Sequence, residues 1–122
     1  MMKFITLAVA GLLLFSTWAH ADETLNADAV KKLITGNTVD SLAANGNTQK
    51  NYFAPDGTTI RKIGDKLIEG TWNVKEDGTQ CVTGMPGGCA KIVSNGDGTY
   101  DRVVEGGGIR LRWLSVTSGK GF

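Results

Sequence analysis

Tyr52-Phe53-Ala54-Pro55-Asp56-Gly57-Thr58, then Gly70-Thr71-Trp72-Asn73-Val74, then Asp77-Gly78-Thr79-Gln80-Cys81 is the stretch that decides the fold. At Pro55-Asp56-Gly57 the proline fixes φ, the aspartate bonds its own backbone, and the glycine takes the left-handed conformation. The chain therefore reverses there. Ile68, Gly70, Trp72 and Val74 alternate with Glu69, Thr71, Asn73 and Lys75. A period of two means one buried and one solvated face, so Leu67 to Glu76 reads as a strand. Gly70 falls on the buried face, where a missing side chain leaves room for a large neighbour or a bend. Asp77-Gly78 reverses the chain again.

The same rhythm extends outward. Asp-Gly-Thr recurs at 56–58, 77–79 and 97–99, and each copy marks a hairpin. Downstream, Thr58 to Ile63, Gln80 to Thr83, Cys89 to Val93, Thr99 to Val104 and Ile109 to Val116 read as strands. In the last of them Ile109, Leu111 and Trp113 share a face opposite Arg110 and Arg112. Upstream, Thr38-Val39 opens an extended segment, Asn45-Gly46 suggests a type I′ hairpin, and Thr48 to Phe53 is a strand. With 17 glycines and successive hairpins, residues 37–122 predict an antiparallel β meander. The sheet must curl to bury Phe53, Trp72, Tyr100 and Trp113, and closure hides edge strands. The expected fold is mainly β: a small, partly open barrel with one short N-terminal helix.

That helix lies within residues 22–36. Asn26 is a good N-cap, Asp28 suits the positive end, and Val30, Leu33 and Ile34 form one apolar stripe. Leu25, before the cap, is placed to staple onto Val30. Gly36 ends the helix as a C-cap. So short a helix needs its stripe docked on the sheet.

Residues 1–21 have another character. Met1-Met2-Lys3 is a positive start, Phe4 to Phe15 is apolar apart from Thr6 and Gly11, and Ala19-His20-Ala21 is a small-residue cleavage site. This is the pattern of a secretory signal peptide cut after Ala21. The apolar run is shorter than the roughly 20 residues a spanning helix needs. The expected location is periplasmic or secreted, with no membrane span after processing, and residues 22–122 form one domain.

Processing has chemical consequences. Of 13 Lys and Arg, Lys3 leaves, so 12 cations face 12 anions in a mature chain of 101 residues. The basic footprint of a nucleic-acid binder is absent. His20 is the one histidine and leaves as well. Catalysis of the Ser-His-Asp or Cys-His kind, histidine metal ligation and proximal-histidine haem binding are excluded. No cofactor is implied.

Cys81 and Cys89 are the only cysteines. An even count in an exported chain fits one disulfide, and Gly84, Pro86, Gly87 and Gly88 let the intervening chain fold back. A redox pair would more often be Cys-x-x-Cys near a helix start; a two-thiolate metal site is the other alternative.

Asn95 to Asp101 offers oxygen side chains at alternating positions. Tyr100 and Gly106 stand where an EF-hand loop needs a glycine and a glutamate, so no metal site is expected. Asp56, Asp65, Glu69, Asp77, Asp97, Asp101 and Glu105 lie in turns or on solvated faces, with nothing to bring two together as an acid/base pair. No catalytic residue is assigned. Trp72, Tyr100 and Trp113 line the concave face and are the candidate ligand contacts; small barrels also fill their interiors with such side chains. Arg110 and Arg112, or the Gly84–Gly88 loop, offer a surface for a protein partner.

The helix ending in Leu33-Ile34-Thr35-Gly36-Asn37-Thr38-Val39, the Tyr52–Thr58 hairpin, the Gly70–Cys81 stretch and the second cysteine before Asn95–Tyr100 together resemble a family. Its members are short secreted bacterial proteins of unknown function. The resemblance spans roughly residues 25 to 104 and implies export, a small β fold and a Cys81–Cys89 bridge. It brings no catalytic residues. The function expected is non-catalytic binding of a small ligand or envelope component. The alternatives are an inhibitor-type or accessory protein acting on a periplasmic protein, and, less favoured, a carboxylate-based hydrolase.

Overall fold

A computed structural model describes residues 23–122. The expected leader and its cleavage after Ala21 lie outside the described residues. The described chain runs β1 (Glu23–Thr24), α1 (Ala27–Ile34), β2 (Asn37–Ala43), β3 (Thr48–Phe53), β4 (Thr58–Ile63), β5 (Lys66–Val74), β6 (Gln80–Thr83), β7 (Cys89–Ser94), β8 (Tyr100–Val103) and β9 (Ile109–Ser118).

From β2 to β9 each strand pairs antiparallel with the next, and β9 returns to pair with β2. The result is an eight-stranded barrel that is closed rather than partly open. The seam runs from Asn37 opposite Ser118 to Ala43 opposite Leu111. β1 is extended where the sequence suggested the approach to the helix. It lies beside Val93 and Ser94 of β7, while β6 pairs with Cys89 and Ala90. β1 thus covers the stretch of β7 that the short β6 leaves unpaired.

One turn geometry sets the meander. At Ala43–Asn47, Ala54–Thr58, Lys75–Thr79 and Val104–Gly108 the first N–H donates to the last carbonyl, and a glycine N–H donates back to the first carbonyl. This is the three-residue hairpin with a left-handed glycine; Gly57 and Gly78 have φ +95° and +91°. Asp56, Asp77 and Asp97 each accept the N–H of the threonine two residues on, at 2.9–3.0 Å. Asn45 does the same for Asn47. The Asn45-Gly46 pair therefore serves the longer turn rather than the two-residue I′ turn. Its side chain supplies a bond that the tighter form does not need.

α1 is capped as its sequence predicts, with Asn26 accepting from the Ala29 N–H at 2.9 Å. Val30 and Ile34 are fully buried against Val39, Phe53, Val82, Ile92 and Trp113, with Leu25 and Leu33 packed beside them. Burying two such side chains contributes about 1.5–3 kcal/mol each, more than the cap's ~1 kcal/mol. Docking, not propensity, holds this helix. It plugs the barrel end that carries the β3–β4 and β5–β6 turns, where Leu25 and Asn26 meet Gly78. The opposite end carries the β4–β5, β6–β7 and β8–β9 connections.

Along β5 the alternation holds, with Ile68, Trp72 and Val74 partly buried and Glu69, Thr71 and Asn73 exposed. Gly70 answers its expectation too. The tip of Met85, from the β6–β7 loop, fills the space beside it. β9 breaks period two twice: Arg102 faces Leu111 but Val103 faces Ile109 across β8, and a second slip lies opposite β2. Asp40 faces Ser115 but Ser41 faces Trp113. Leu114 is the extra residue of this bulge and stays 40 % exposed. The slip turns both Trp113 and Val116 inward. After β9 the chain folds back over β2, with Thr38 Oγ1 donating to the Gly119 carbonyl and accepting from the Gly121 N–H.

Candidate functional site

The three aromatic candidates meet inside the barrel at the helix end. Trp113 is 1 % exposed, and its ring centroid lies 6.4 Å from Tyr100 and 6.3 Å from Phe53. Phe53 stacks edge-on to Trp72 at 5.5 Å, and the Trp72 indole N–H donates to the Ala54 carbonyl. With Val30 and Ile34 over them, these rings fill the space they line. The structure brings Trp72, Tyr100 and Trp113 together as packing, on the side of the interior closed by α1.

The other end is built differently. Pairing from strand to strand places Gln49, Asn51, Arg61 and Arg102 on the same inner face as Phe53 and Tyr100. Arg61 is 7 % exposed and Arg102 is 3 % exposed. Burying a guanidinium costs several kcal/mol unless hydrogen bonds replace its water. The barrel supplies them from carbonyl and amide oxygens. Arg61 donates from Nε to Asn51 Oδ1 at 3.1 Å and from Nη1 to the Pro86 carbonyl at 2.7 Å. Arg102 donates to Gln80 Oε1, to the Gln80 carbonyl and to the carbonyls of Gly87 and Gly88. Burial lowers the Arg61 pKa from its usual value, yet a guanidinium stays charged in any physiological range.

Two geometric facts follow. The first concerns the Cys loop, which the sequence offered as a projecting surface. Gly84, Pro86 and Gly88 are exposed, while Met85 lies on Gly70 and the carbonyls of Pro86, Gly87 and Gly88 accept from the two arginines. Cys81 and Cys89 face each other across β6 and β7 with Cα atoms 4.0 Å apart and sulfurs at disulfide distance. They pin the loop at its base. The second concerns Gly87. A Cβ there would sit 2.7 Å from Val82 Cγ2, 3.5 Å from Arg61 Nη2 and 3.6 Å from Arg102 Nη1. The two nitrogens are therefore no more than 7.1 Å apart, the sum of those distances.

A cavity of about 150 Å³ opens at this mouth, lined by Ala43, Gln49, Arg61, Pro86, Gly87, Arg102 and Leu111. None of these lining residues carries a carboxylate. Arg61 has five N–H donors and directs two to protein acceptors. Deeper in, the amide nitrogens of Asn51 and Gln80 and the Ser41 hydroxyl are buried without a partner among the described residues. The guanidiniums hold the Asn51 and Gln80 oxygens, so the free ends are N–H donors. A buried donor left unmade costs about 1–3 kcal/mol.

Sequence reasoning passed over Arg61, Arg102, Gln49, Asn51 and Gln80. The signal was present: Arg102 lies two residues from Tyr100 and so on its face. Arg112 is engaged outside the barrel, donating to both Asp101 oxygens at 2.8 and 3.3 Å. That bond raises its pKa above the usual value. The Arg110 side chain lies outside the described residues. Asp40 pairs with Lys50 and Asp77 with Lys91 on the surface. Among the described residues no group of three Cys, Asp or Glu could hold a metal ion, and no helix is long and apolar enough to cross a membrane. No protein-family model matches the chain, and no curated protein matches it.

Proposed function

We propose that this chain is a non-catalytic binding barrel of the periplasm or cell exterior, cleaved after Ala21, that holds a small ligand in the mouth lined by Arg61 and Arg102. One observation carries the proposal: a closed barrel with a packed apolar end keeps two buried guanidiniums and unpartnered donors beside a cavity at its other end. A purely structural plug would be better served by apolar side chains, since replacing buried charge by packed hydrophobes is often neutral or stabilising. Rigidity favours binding as well. Arg61 on β4 and Arg102 on β8 are oriented by their hydrogen-bond partners, so little ordering remains to be done on association.

The ligand site expected at Trp72, Tyr100 and Trp113 moves accordingly to the opposite end, because the aromatic rings are occupied with one another. Hydrolysis gains no support: Asp56, Asp77 and Asp97 are bound to their own turns, and Asp101 is held by Arg112. The test is a fragment screen followed by protein NMR. Hits should shift the amides of Gln49, Arg61, Gly87 and Arg102 and should leave the assay unchanged by reaction. A screen whose hits all cluster elsewhere, or that yields none, would refute the placement.

A further inference from the structure

We infer that Cys89 is a thiol-exchange site, and that opening its bond to Cys81 unlatches the loop that orients Arg61 and Arg102. Access comes first. Side chains alternate along a strand, and Gln80, which turns in to Arg102, pairs with the buried Ala90. The next pair, Cys81 and Cys89, therefore belongs to the outer face. Cys81 is 5 % exposed there, whereas Cys89 is open to solvent. Cys89 borders a surface groove that Lys75, Asp77, Lys91 and Glu105 also line. Two cations balance two anions in it, so no net negative charge turns away an incoming thiolate. Exchange needs access to a sulfur, and exposed disulfides are the labile ones. The spacing is not Cys-x-x-Cys and neither cysteine begins a helix, so the pair is the target of exchange and not its agent.

The step balances with a dithiol as reductant. One thiolate of the dithiol attacks Cys89 Sγ, the S–S bond breaks, and Cys81 leaves as a thiolate that takes a proton from water. The second thiol then attacks the mixed disulfide, releases Cys89 and closes a disulfide within the reductant. Two electrons and, through solvent, two protons pass to the protein. What the bond restrained lies at the mouth. β6 and β7 pair at two positions, Gln80 with Ala90 and Cys81 with Cys89, and the Val82 N–H adds one bond to the Gly88 carbonyl. Beyond them Gly84, Gly87 and Gly88 all have positive φ, so the loop is intrinsically free to take other shapes. Its carbonyls at Pro86, Gly87 and Gly88 stand in for water on two buried guanidiniums. Freed at its base, the loop gives these bonds up to solvent. Arg61 keeps Asn51 and Arg102 keeps Gln80, so the barrel stands while its mouth rearranges.

The experiment uses the isotopically labelled exported protein in native buffer with dithiothreitol. Acid quenching, N-ethylmaleimide and mass spectrometry time the appearance of thiols. Urea unfolding kinetics extrapolated to native buffer time global opening. Reduction should scale with dithiothreitol concentration and outrun global opening at least tenfold. In the reduced protein the amides of Arg61, Gly87, Gly88 and Arg102 should shift, those of Val30, Phe53 and Trp113 should not, and oxidised dithiothreitol should restore the first spectrum. With the monothiol 2-mercaptoethanol, peptide mapping should find the adduct on Cys89 and the maleimide on Cys81. Reduction no faster than global opening, or the reverse labelling, overturns the exchange site. A reduced protein whose mouth amides stay in place, or whose whole spectrum collapses, overturns the latch. The ligand reading of the mouth is judged separately, by the fragment screen on the oxidised protein.

Discussion

Replacing Gly70 by alanine tests whether the Cys loop is seated in the barrel as described. A Cβ at this position would lie 2.5 Å from the Thr83 carbonyl oxygen and 3.1 Å from the Met85 terminal methyl. Carbon and oxygen approach no closer than about 3.3 Å even in favourable contacts, so the backbone of β6 must yield by roughly 0.8 Å. Two effects oppose each other. Gly70 is not left-handed, so alanine fits its backbone and stabilises by about 0.4–1 kcal/mol through the unfolded chain. Overpacking costs about 1–3 kcal/mol. The clash wins, with a net loss of about 1–2 kcal/mol, or roughly 5–15 °C in Tm for a domain of this size. Thermal and urea unfolding followed by circular dichroism measure it. Met85→Ala in the same chain should restore only part of the loss, because the closer contact is with backbone. An alanine variant as stable as the parent would refute the geometry, and complete rescue by Met85→Ala would refute the backbone clash.

Two further outcomes concern the staple and one turn. Intact mass of the exported protein should begin at Asp22 and lack two hydrogens for a Cys81–Cys89 bond; the double variant Cys81→Ala, Cys89→Ala should lose about 2–3 kcal/mol, the value for so small a ring, and free thiols in the parent would contradict it. Asp77 accepts the Thr79 N–H, and with help from Lys91 its carboxyl falls from 3.8 to about 2. Its contribution is complete above pH 3.8 and is lost as pH falls through about 2. The Tm gap between the parent and Asp77→Asn should therefore close across that window; a gap independent of pH would show that the charge plays no part. Asp56 and Asp97, lowered by their own threonines, keep some acid sensitivity in the variant.

Much of the barrel was legible in the sequence because its signals are local. Pro55-Asp56-Gly57 and Asp77-Gly78 turn the chain by bonds within five residues, and the alternation through Trp72 assigns its own faces. Asn26 caps α1 with its own side chain. What escaped was everything set by distant partners. Closure depends on β9 finding β2, and no residue of either strand announces the other. The bulge at Leu114 decides that Val116 turns inward, yet Trp113-Leu114-Ser115-Val116 shows only a broken period. The candidate site was missed for a related reason. Arg61 and Arg102 are charged, and charge on a strand ordinarily marks the solvated face. Only the inner-face registry with Asn51, and the carbonyls of Pro86, Gly87 and Gly88 that accept from both arginines, show the two converging.

The wiring of the barrel also prescribes an order of assembly. Every pair of neighbouring barrel strands but one is joined by a short connection, so most contacts close small loops. The exception is the β2–β9 seam, where Asp40 meets Ser115 from 75 positions away. Closing a long loop carries a larger entropic cost and is slow to nucleate. The hairpins are thus expected to form first and the seam to zip last. Until it does, β2 and β9 are two open edges, the condition under which strands pair with the wrong chain. Asp40, Lys50 and Arg112, on the outer faces of the seam and its flank, are expected to oppose such mispairing before they take up their ion pairs in the finished fold.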